Sequence, residues 1–79
     1  MYIEKPPVIK SIFATRLAEA RRAAGYTQAE LAEILDVNFM SLVRWENDYY
    51  EPKNGVFVRI VKALGVSADW ILGWRTDDG

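Results

Sequence analysis

The side chains best suited to specific chemistry lie in one stretch near the middle of the chain, residues 38–47, NFMSLVRWEN. At helical spacing, Leu42 and Trp45 fall on one face with Glu46 beside them. The opposite face carries a mixed set of side chains, namely Phe39, Met40, Val43, Arg44 and Asn47. A guanidinium can donate two parallel hydrogen bonds to one pair of acceptors, and apolar side chains can contact methyl groups. This combination favours recognition of another molecule.

Composition argues against catalysis. The chain contains no histidine and no cysteine, which excludes disulfides, thiolate zinc sites and imidazole chemistry. A nucleophile would need an unusual lysine or carboxylate base, and the carboxylates fall mostly on predicted helix exteriors beside basic residues. No glycine-rich phosphate loop and no metal-ligand spacing occurs. We therefore predict that the protein is not an enzyme and uses no metal, cofactor or small-molecule substrate.

Length and charge bound the remaining possibilities. A chain of 79 residues, 51% of them hydrophobic, is enough for one compact domain. It has no apolar run of membrane-spanning length and no signal-peptide pattern, so we expect no membrane partner and a cytoplasmic location. The formal charge of −1 and the pI of about 5.3 are unlike those of most nucleic-acid binders. The charge of a single face is what decides binding, however.

Two short helices joined by a tight turn position the recognition stretch. Thr27 and Glu30 have the spacing of a capping box at the start of the first of these helices. Asn38 is a good N-cap for the second, which leaves only residues 36–37 to turn the chain. The predicted bounds are Gln28–Leu35 for helix two and Phe39 to about Asn47 for helix three. Two helices joined in this way are the signature of a helix-turn-helix.

Three further helices are predicted around this pair. The first carries Phe13, Leu17, Ala20 and Ala24 on one stripe and ends at Gly25. The fourth begins at an Asn54 cap, turns Phe57, Ile60, Val61 and Leu64 inward, and ends at Gly65. The fifth runs from a Ser67 cap to Gly73. The prediction is therefore an all-α, compact five-helix bundle over residues 11–73, with an extended arm in residues 1–10 and a tail in residues 74–79.

From about Phe13 to Gly73, the chain resembles the lambda-type phage repressor and Cro family of helix-turn-helix domains. The matching positions are Leu17, Arg21, Gly25-Tyr26-Thr27-Gln28, Glu30-Leu31-Ala32, Val37-Asn38, Leu42, Trp45-Glu46-Asn47, Pro52, Leu64-Gly65-Val66-Ser67 and Trp70-Ile71-Leu72-Gly73. Any one of them means little, but together and in register they are a strong signal. The resemblance implies a five-helix fold that binds double-stranded operator DNA, usually as a homodimer.

The resemblance also implies roles for individual residues. Arg21 and Glu46 match a partly buried structural ion pair, and the alternative is two independent surface charges. Gln28 matches a phosphate-contacting position, and the alternative is a solvated first-turn residue. The residues predicted to bind DNA are Gln28, Asn38, Phe39, Met40, Ser41, Val43, Arg44, Asn47, Tyr49 and Lys53.

The base-reading positions depart from the family pattern, in which polar and basic residues are usual. Here they are Phe39, Met40, Val43 and Arg44, and the first three cannot form side-chain hydrogen bonds to bases. One interpretation is DNA reading through thymine methyl groups, with Arg44 on a guanine. A second is that this face, flanked by aromatic residues, contacts a protein instead. A third is that Phe39 or Met40 folds back onto helix two and completes the core.

We therefore predict a sequence-specific transcriptional regulator, a repressor of the phage type that occludes a palindromic operator by placing helix three in the major groove. The alternative is a helix-turn-helix fold diverted to protein–protein contact, as an antirepressor or assembly adaptor. Val58, Trp70 and Trp74 are candidates for a dimer contact, although Trp70 matches a core position of the family. Asp48 stands where the family often has glycine, and its carboxylate would repel a phosphate.

Overall fold

The computed structural model describes residues 11–74, and within them the chain forms five α-helices. In chain order they are α1 Ile12–Ala23, α2 Gln28–Leu35, α3 Phe39–Glu46, α4 Asn54–Leu64 and α5 Ala68–Leu72. No strand forms in this part of the chain, and the all-α five-helix prediction is confirmed. The predicted arm, residues 1–10, and residues 75–79 of the predicted tail lie outside the described residues. None of the helices within residues 11–74 is long and apolar enough to cross a membrane.

Every helix contributes to one hydrophobic core. Its buried members are Phe13, Leu17, Leu31, Ala32, Leu35, Leu42, Trp45, Ile60 and Ile71. Burial of a large apolar side chain contributes about 1.5–3 kcal/mol to folding, so this core is the main source of stability. Because α3 packs against both α1 and α2, it is held from two sides and has one long face left uncovered.

The predicted N-caps of three helices are confirmed. Thr27 Oγ1 accepts the Glu30 amide at 3.1 Å, and Glu30 Oε1 accepts the Thr27 amide at 2.9 Å, which completes the capping box. Asn38 Oδ1 accepts the Met40 amide at 2.8 Å at the start of α3. Ser67 Oγ accepts the Trp70 amide at 3.0 Å at the start of α5. Each cap satisfies a donor that the first turn of a helix leaves unpaired.

Two details of the predicted helices are wrong. Asn54 is not the cap of α4 but its first residue, because Lys53 is extended and its carbonyl already accepts the Phe57 amide at 2.8 Å. Ala24 does not belong to the buried stripe of α1, because the helix ends at Ala23 and Ala24 lies exposed at the C-cap. Gly25 follows with a φ of 86° and turns the chain away.

The turn between α2 and α3 passes through a left-handed residue that is not glycine. Asp36 has φ 59° and ψ 48°. Its amide donates to the Glu33 carbonyl at 3.1 Å, and the Val37 amide donates to the Ala32 carbonyl at 3.0 Å. These two bonds terminate α2 in the manner of a Schellman motif. The left-handed region costs any residue with a Cβ free energy, although aspartate tolerates it better than most residues.

Replacing Asp36 with glycine is therefore expected to stabilise the domain by about 0.5–1 kcal/mol. The gain from relieving the left-handed strain outweighs the greater freedom of glycine in the unfolded chain. Asp36→Ala is the matched control, because alanine keeps the strain and lacks the short polar side chain. Urea denaturation of the three proteins measures the order, and a glycine variant less stable than the alanine variant would contradict the prediction.

Candidate nucleic-acid interface

Helix α3 has a fully anchored inner face and an exposed outer face. Leu42 is completely buried, and Trp45 and Glu46 are 5% and 4% exposed. On the outer side Phe39 is 46% and Met40 is 42% exposed. The interpretation in which Phe39 or Met40 completes the core is therefore wrong.

The rest of the predicted reading face is also accessible. Arg44 and Asn47 are exposed, whereas Ser41 and Val43 are half-buried along its edges. Because their helix is fixed to the core through Leu42 and Trp45, these side chains are presented from a rigid support. The structure thus brings the predicted base-reading residues together on one surface.

The two asparagines at the ends of α3 are partly engaged by the helix itself. The side-chain oxygen of Asn38, Oδ1, accepts the capping hydrogen bond, so the side-chain nitrogen, Nδ2, remains as a donor for an outside partner. Asn47 Nδ2 donates to the Val43 carbonyl at 2.8 Å, so its side-chain oxygen remains instead. Asn38 is thus a possible donor at the start of the helix, and Asn47 a possible acceptor at its end.

The predicted ion pair between Arg21 and Glu46 is present and nearly buried. Arg21 Nε donates to Glu46 Oε2 at 2.7 Å, and Arg21 Nη2 donates to Glu46 Oε1 at 3.2 Å. The two side chains are only 10% and 5% exposed. Arg21 Nη1 also donates to the Tyr26 carbonyl at 2.9 Å. This two-bonded geometry, the strongest form of a carboxylate–guanidinium pair, ties the end of α1 to the end of α3 and to the entrance of α2.

Gln28 joins the same network. Its Nε2 donates to Glu46 Oε1 at 3.0 Å, so Glu46 accepts hydrogen bonds from both Arg21 and Gln28. Sequence analysis did not predict this bond, because residues 18 positions apart in the chain give no local signal. The bond holds the Gln28 amide at the N-terminus of α2, and the second hydrogen on Nε2 remains as a donor.

Asp48 occupies the position where the family often has glycine, and the structure shows what its side chain does. Asp48 has a φ of 64°, and its Oδ2 accepts the Ser11 amide at 2.9 Å. The carboxylate therefore lies at the positive N-terminal end of α1, where a negative charge is favourable. The left-handed turn after α3 is thus retained with aspartate, and the side chain ties that turn to the start of the domain.

Beyond α3, the loop that leads to α4 adds exposed aromatic and basic side chains. Tyr49 is 74% exposed, Tyr50 is 49% exposed, and Lys53 is exposed at the N-cap of α4. The Tyr49 amide donates to the Arg44 carbonyl at 2.9 Å, which keeps the beginning of the loop against the end of α3. The predicted contact residues thus lie on α3, on the loop that follows it and at the N-cap of α4, with Gln28 as the first residue of α2.

The family model described as helix-turn-helix matches residues 17–71, which include all of α2, α3 and α4. The chain belongs to the helix-turn-helix family. The resemblance to lambda-type repressors and Cro proteins is thereby confirmed.

Relatives of this helix-turn-helix chain are found among bacterial and phage regulators. It is 41% identical over 58 residues to the HTH-type transcriptional regulator ImmR of Bacillus subtilis, and the aligned segment covers 73% of this chain and 46% of ImmR. It is 34% identical over 64 residues to the cryptic phage CTXphi transcriptional repressor RstR of Vibrio cholerae, and the aligned segment covers 80% of this chain and 57% of RstR. The chain thus spans about half the length of these relatives.

Solved structures show the same fold. The P22 c2 repressor, in a complex with a synthetic operator, superposes with a TM-score of 0.72 at 27% identity over 76% of this chain and 91% of that one. The clp gene regulator ClgR from C. glutamicum superposes with a TM-score of 0.74 at 27% identity over 87% and 90% of the two chains.

Proposed function

We propose that this chain is the sequence-specific DNA-binding domain of a transcriptional repressor. The observation that carries the proposal is the outer face of α3, which is exposed on a helix fixed rigidly to the core in a helix-turn-helix fold. A recognition helix needs both properties, because its side chains must reach base edges while its opposite face is held by the scaffold. Two similar proteins bear the names of a transcriptional regulator and a transcriptional repressor, and the P22 c2 repressor binds operator DNA.

The proposed mechanism is occlusion of an operator. Helix α3 enters the major groove, and contacts to phosphates on either side of it fix the register of the domain. Gln28 Nε2 and the N-terminus of α2 donate to one phosphate, since a helix start presents free amides and a positive potential. Asn47, Tyr49 and Lys53 contact the backbone beyond the other end of α3. Bound in this way, the protein excludes other proteins from the same DNA.

Base reading is proposed to depend on apolar contacts and one arginine. Phe39, Met40 and Val43 offer no side-chain hydrogen bond, but they can pack against the C5-methyl group of thymine in the major groove. Arg44, at the exposed side of the helix, can donate to O6 and N7 of a guanine. The operator half-site is then rich in A·T pairs with one key G·C pair.

The thymine contacts can be tested by removing methyl groups from the DNA alone. Replacing single thymines of a bound half-site with deoxyuridine is expected to weaken binding about fourfold per contacted methyl group, the equivalent of about 0.8 kcal/mol. The Met40→Ala and Phe39→Ala variants should lose this sensitivity at their own positions. Fluorescence anisotropy measures the affinities. If deoxyuridine weakened binding equally in wild type and in both variants, Phe39 and Met40 would not be the residues that contact the methyl groups.

Gln28→Ala is expected to weaken binding to all duplexes about equally, by up to about tenfold, because a phosphate contact carries no sequence information. Gln28 also bonds to Glu46, so thermal melting of the free protein must accompany the titration. A loss of affinity confined to particular sequences would indicate a base contact and contradict the phosphate role.

Affinity is proposed to depend on dimerisation. Few cations accompany the reading face, so one domain should bind weakly and with a shallow salt dependence. A two-fold dimer on a palindromic site would multiply the contacts. Of the three predicted dimer residues, Trp70 packs against the core with the Arg16 guanidinium 4.8 Å from its ring centre. Val58 and Trp74, 45% and 75% exposed, remain the candidates.

A second function, protein contact through α3, is favoured by the exposure of Phe39 and Met40 on α3 and of Tyr49 and Tyr50 on the loop that follows it. Anisotropy titration with a fluorescent random-sequence duplex pool at low salt separates the two proposals. The DNA-binding proposal predicts saturable binding that weakens as salt is added. No binding at low salt, together with a discrete protein complex in a pull-down, would support the adaptor.

A further inference from the structure

A small apolar groove lies where α1 and α4 begin and α5 ends. Its lining consists of Phe13, Glu51, Pro52, Asn54, Phe57 and Leu72. Most of these residues are apolar, and Leu72 is 53% exposed. The volume of the groove is about 170 Å³, close to the roughly 150 Å³ of an apolar protein cavity that binds benzene. The groove is therefore large enough for one aliphatic side chain.

The helix ends that form this groove are packed closely. Phe13 belongs to the core and Phe57 packs against it, with the centroids of the two rings 6.0 Å apart. At the end of α5, Gly73 lies so close to Ile12 that an added Cβ would be 2.7 Å from that side chain. The groove is thus preformed, and covering its exposed apolar surface would be favourable.

The N-terminal arm, residues 1–10, joins the domain beside this groove. The arm lies outside the described residues and ends next to Ser11, whose amide donates to Asp48 Oδ2 at 2.9 Å. This bond fixes the point at which the arm meets the domain, and Phe13 of the lining follows shortly after it in the chain. Two extended residues span up to about 7 Å, so the side chain of Ile9 can reach the groove.

The side chains of the arm match the chemistry of the groove. Val8 and Ile9 are aliphatic and come directly after Pro6-Pro7. The fixed φ angles of the prolines restrict the free chain, which reduces the entropy lost when the arm docks. At the other terminus, residues 75–79, RTDDG, contain no large apolar side chain. The arm is therefore the better occupant of the two.

Charge favours the same occupant. The arm, MYIEKPPVIK, carries two lysines and one glutamate, and Lys10 directly precedes Ser11. The carboxylates of Asp48, bonded to the Ser11 amide, and of Glu51, in the groove lining, lie on the loop 47–53. Attraction between exposed charges is modest, so it orients the arm, and the apolar contact supplies most of the affinity.

We propose that the arm docks in this groove of its own chain, with Ile9 in contact with Leu72 and Lys10 beside the two carboxylates. The proposal does not depend on DNA binding, because every group involved belongs to one chain. In addition to the bond between Ser11 and Asp48, docking gives a second tie between the start of α1 and the loop 47–53. That loop carries Tyr49 and Lys53 of the proposed interface.

Thermal melting of the full chain tests the contact. Ile9→Ala is expected to lower the melting temperature by about 4–8 °C, because it removes most of the side chain that fills the groove. Leu72→Ala should also lower it, and the double variant should lose clearly less than the sum of the two single losses. Ile34→Ala is the matched control, because Ile34 is 49% exposed but lies on α2 and is not part of the lining. Its loss should add to that of Ile9→Ala.

A disulfide trap identifies which arm occupies the groove. The chain contains no cysteine, so Ile9→Cys combined with Leu72→Cys supplies the only two thiols. A disulfide needs Cβ atoms about 3.5–4.5 Å apart. Under mild oxidation in dilute solution, this variant should form the bond within one chain, which a non-reducing gel shows as a shifted monomer band. Ile9→Cys combined with Ile34→Cys should form no such bond.

Each outcome decides the proposal. A disulfide within one chain, formed at position 72 and not at position 34, supports it together with non-additive melting losses. A disulfide between two chains would place the arm of a second copy in the groove and overturn docking within one chain. Additive losses for Ile9→Ala and Leu72→Ala, or no disulfide at all, would also overturn it. None of these results bears on whether α3 reads DNA, so the proposed function is tested separately.

Discussion

Glu46→Gln is expected to lower the free energy of unfolding by about 3–5 kcal/mol, because it leaves the Arg21 charge buried without a countercharge. Arg21→Met should cost a similar amount by stranding the Glu46 carboxylate, which would keep only the Gln28 amide as a partner. With a side chain 10% or less exposed on both partners, water cannot replace the lost interaction. In a domain this small, each kcal/mol shifts the melting temperature by roughly 4–8 °C, so both variants should melt far below wild type.

Thermal melting of the single and double variants isolates the interaction itself. When both charges are removed, neither is left stranded, so the double variant should lose clearly less stability than the sum of the two single losses. Arg22→Met is the matched control, since Arg22 is the next residue on α1 and is exposed. It should stay within about 0.5 kcal/mol of wild type. Additive losses would show that Arg21 and Glu46 do not act as a pair.

Arg44→Ala is expected to weaken binding to the preferred duplex by about 1–3 kcal/mol, or roughly 5- to 150-fold, and to relax specificity at one base position. The reason is the two-bonded contact proposed between its guanidinium and a guanine. The stability of the free protein should not change, because Arg44 is exposed and outside the core. Anisotropy titrations with duplexes that differ at each position of the half-site measure both effects.

Arg44→Lys is the matched variant for this prediction. Lysine keeps the positive charge but cannot form the planar pair of hydrogen bonds. We expect Arg44→Lys to recover part of the general affinity of Arg44→Ala without recovering the base preference. If lysine restored the full preference, Arg44 would act only through its charge, and the guanine contact would be wrong.

The local features of the scaffold could be predicted from the sequence because they depend on residues close in the chain. The capping box of Thr27 and Glu30 and the Asn38 cap each involve neighbours two or three residues apart. The same holds for the two faces of α3, which follow from helical periodicity. The Arg21–Glu46 pair could be predicted only through the family resemblance, since nothing local connects those two residues.

The remaining parts of the site depend on tertiary placement. The bond from Gln28 to Glu46 and the bond from the Ser11 amide to Asp48 join different elements, across 18 and 37 residues of chain. From the sequence alone, Asp48 in place of the family's glycine suggests only that its carboxylate would repel a phosphate. The structure adds a role for this carboxylate, which accepts the Ser11 amide. The sequence predicts the cap of α4 one residue too late, because Asn54 is a good cap by residue type, whereas Lys53 has the extended backbone that an N-cap requires.

The exposed apolar face of α3 is the reason for proposing that base reading depends on contacts with methyl groups. Phe39 and Met40 are large and apolar, and both are almost half exposed at the start of α3. Leu42 and Trp45 already fill the space between α3 and the core, so Phe39 and Met40 do not contribute to the core. Their exposure is explained if they contact an outside partner, and the thymine methyl groups of a duplex are partners of matching chemistry.

Selection of bound duplexes from a random pool, followed by sequencing, tests the central claim most directly. The proposed function predicts enrichment of a two-fold symmetric site whose half-sites are rich in A·T pairs and share one fixed G·C pair. The same selection with Arg44→Ala should lose the fixed pair and keep the A·T pairs. A pool that shows no enrichment at low salt, for the wild-type protein, would contradict the claim that α3 reads DNA.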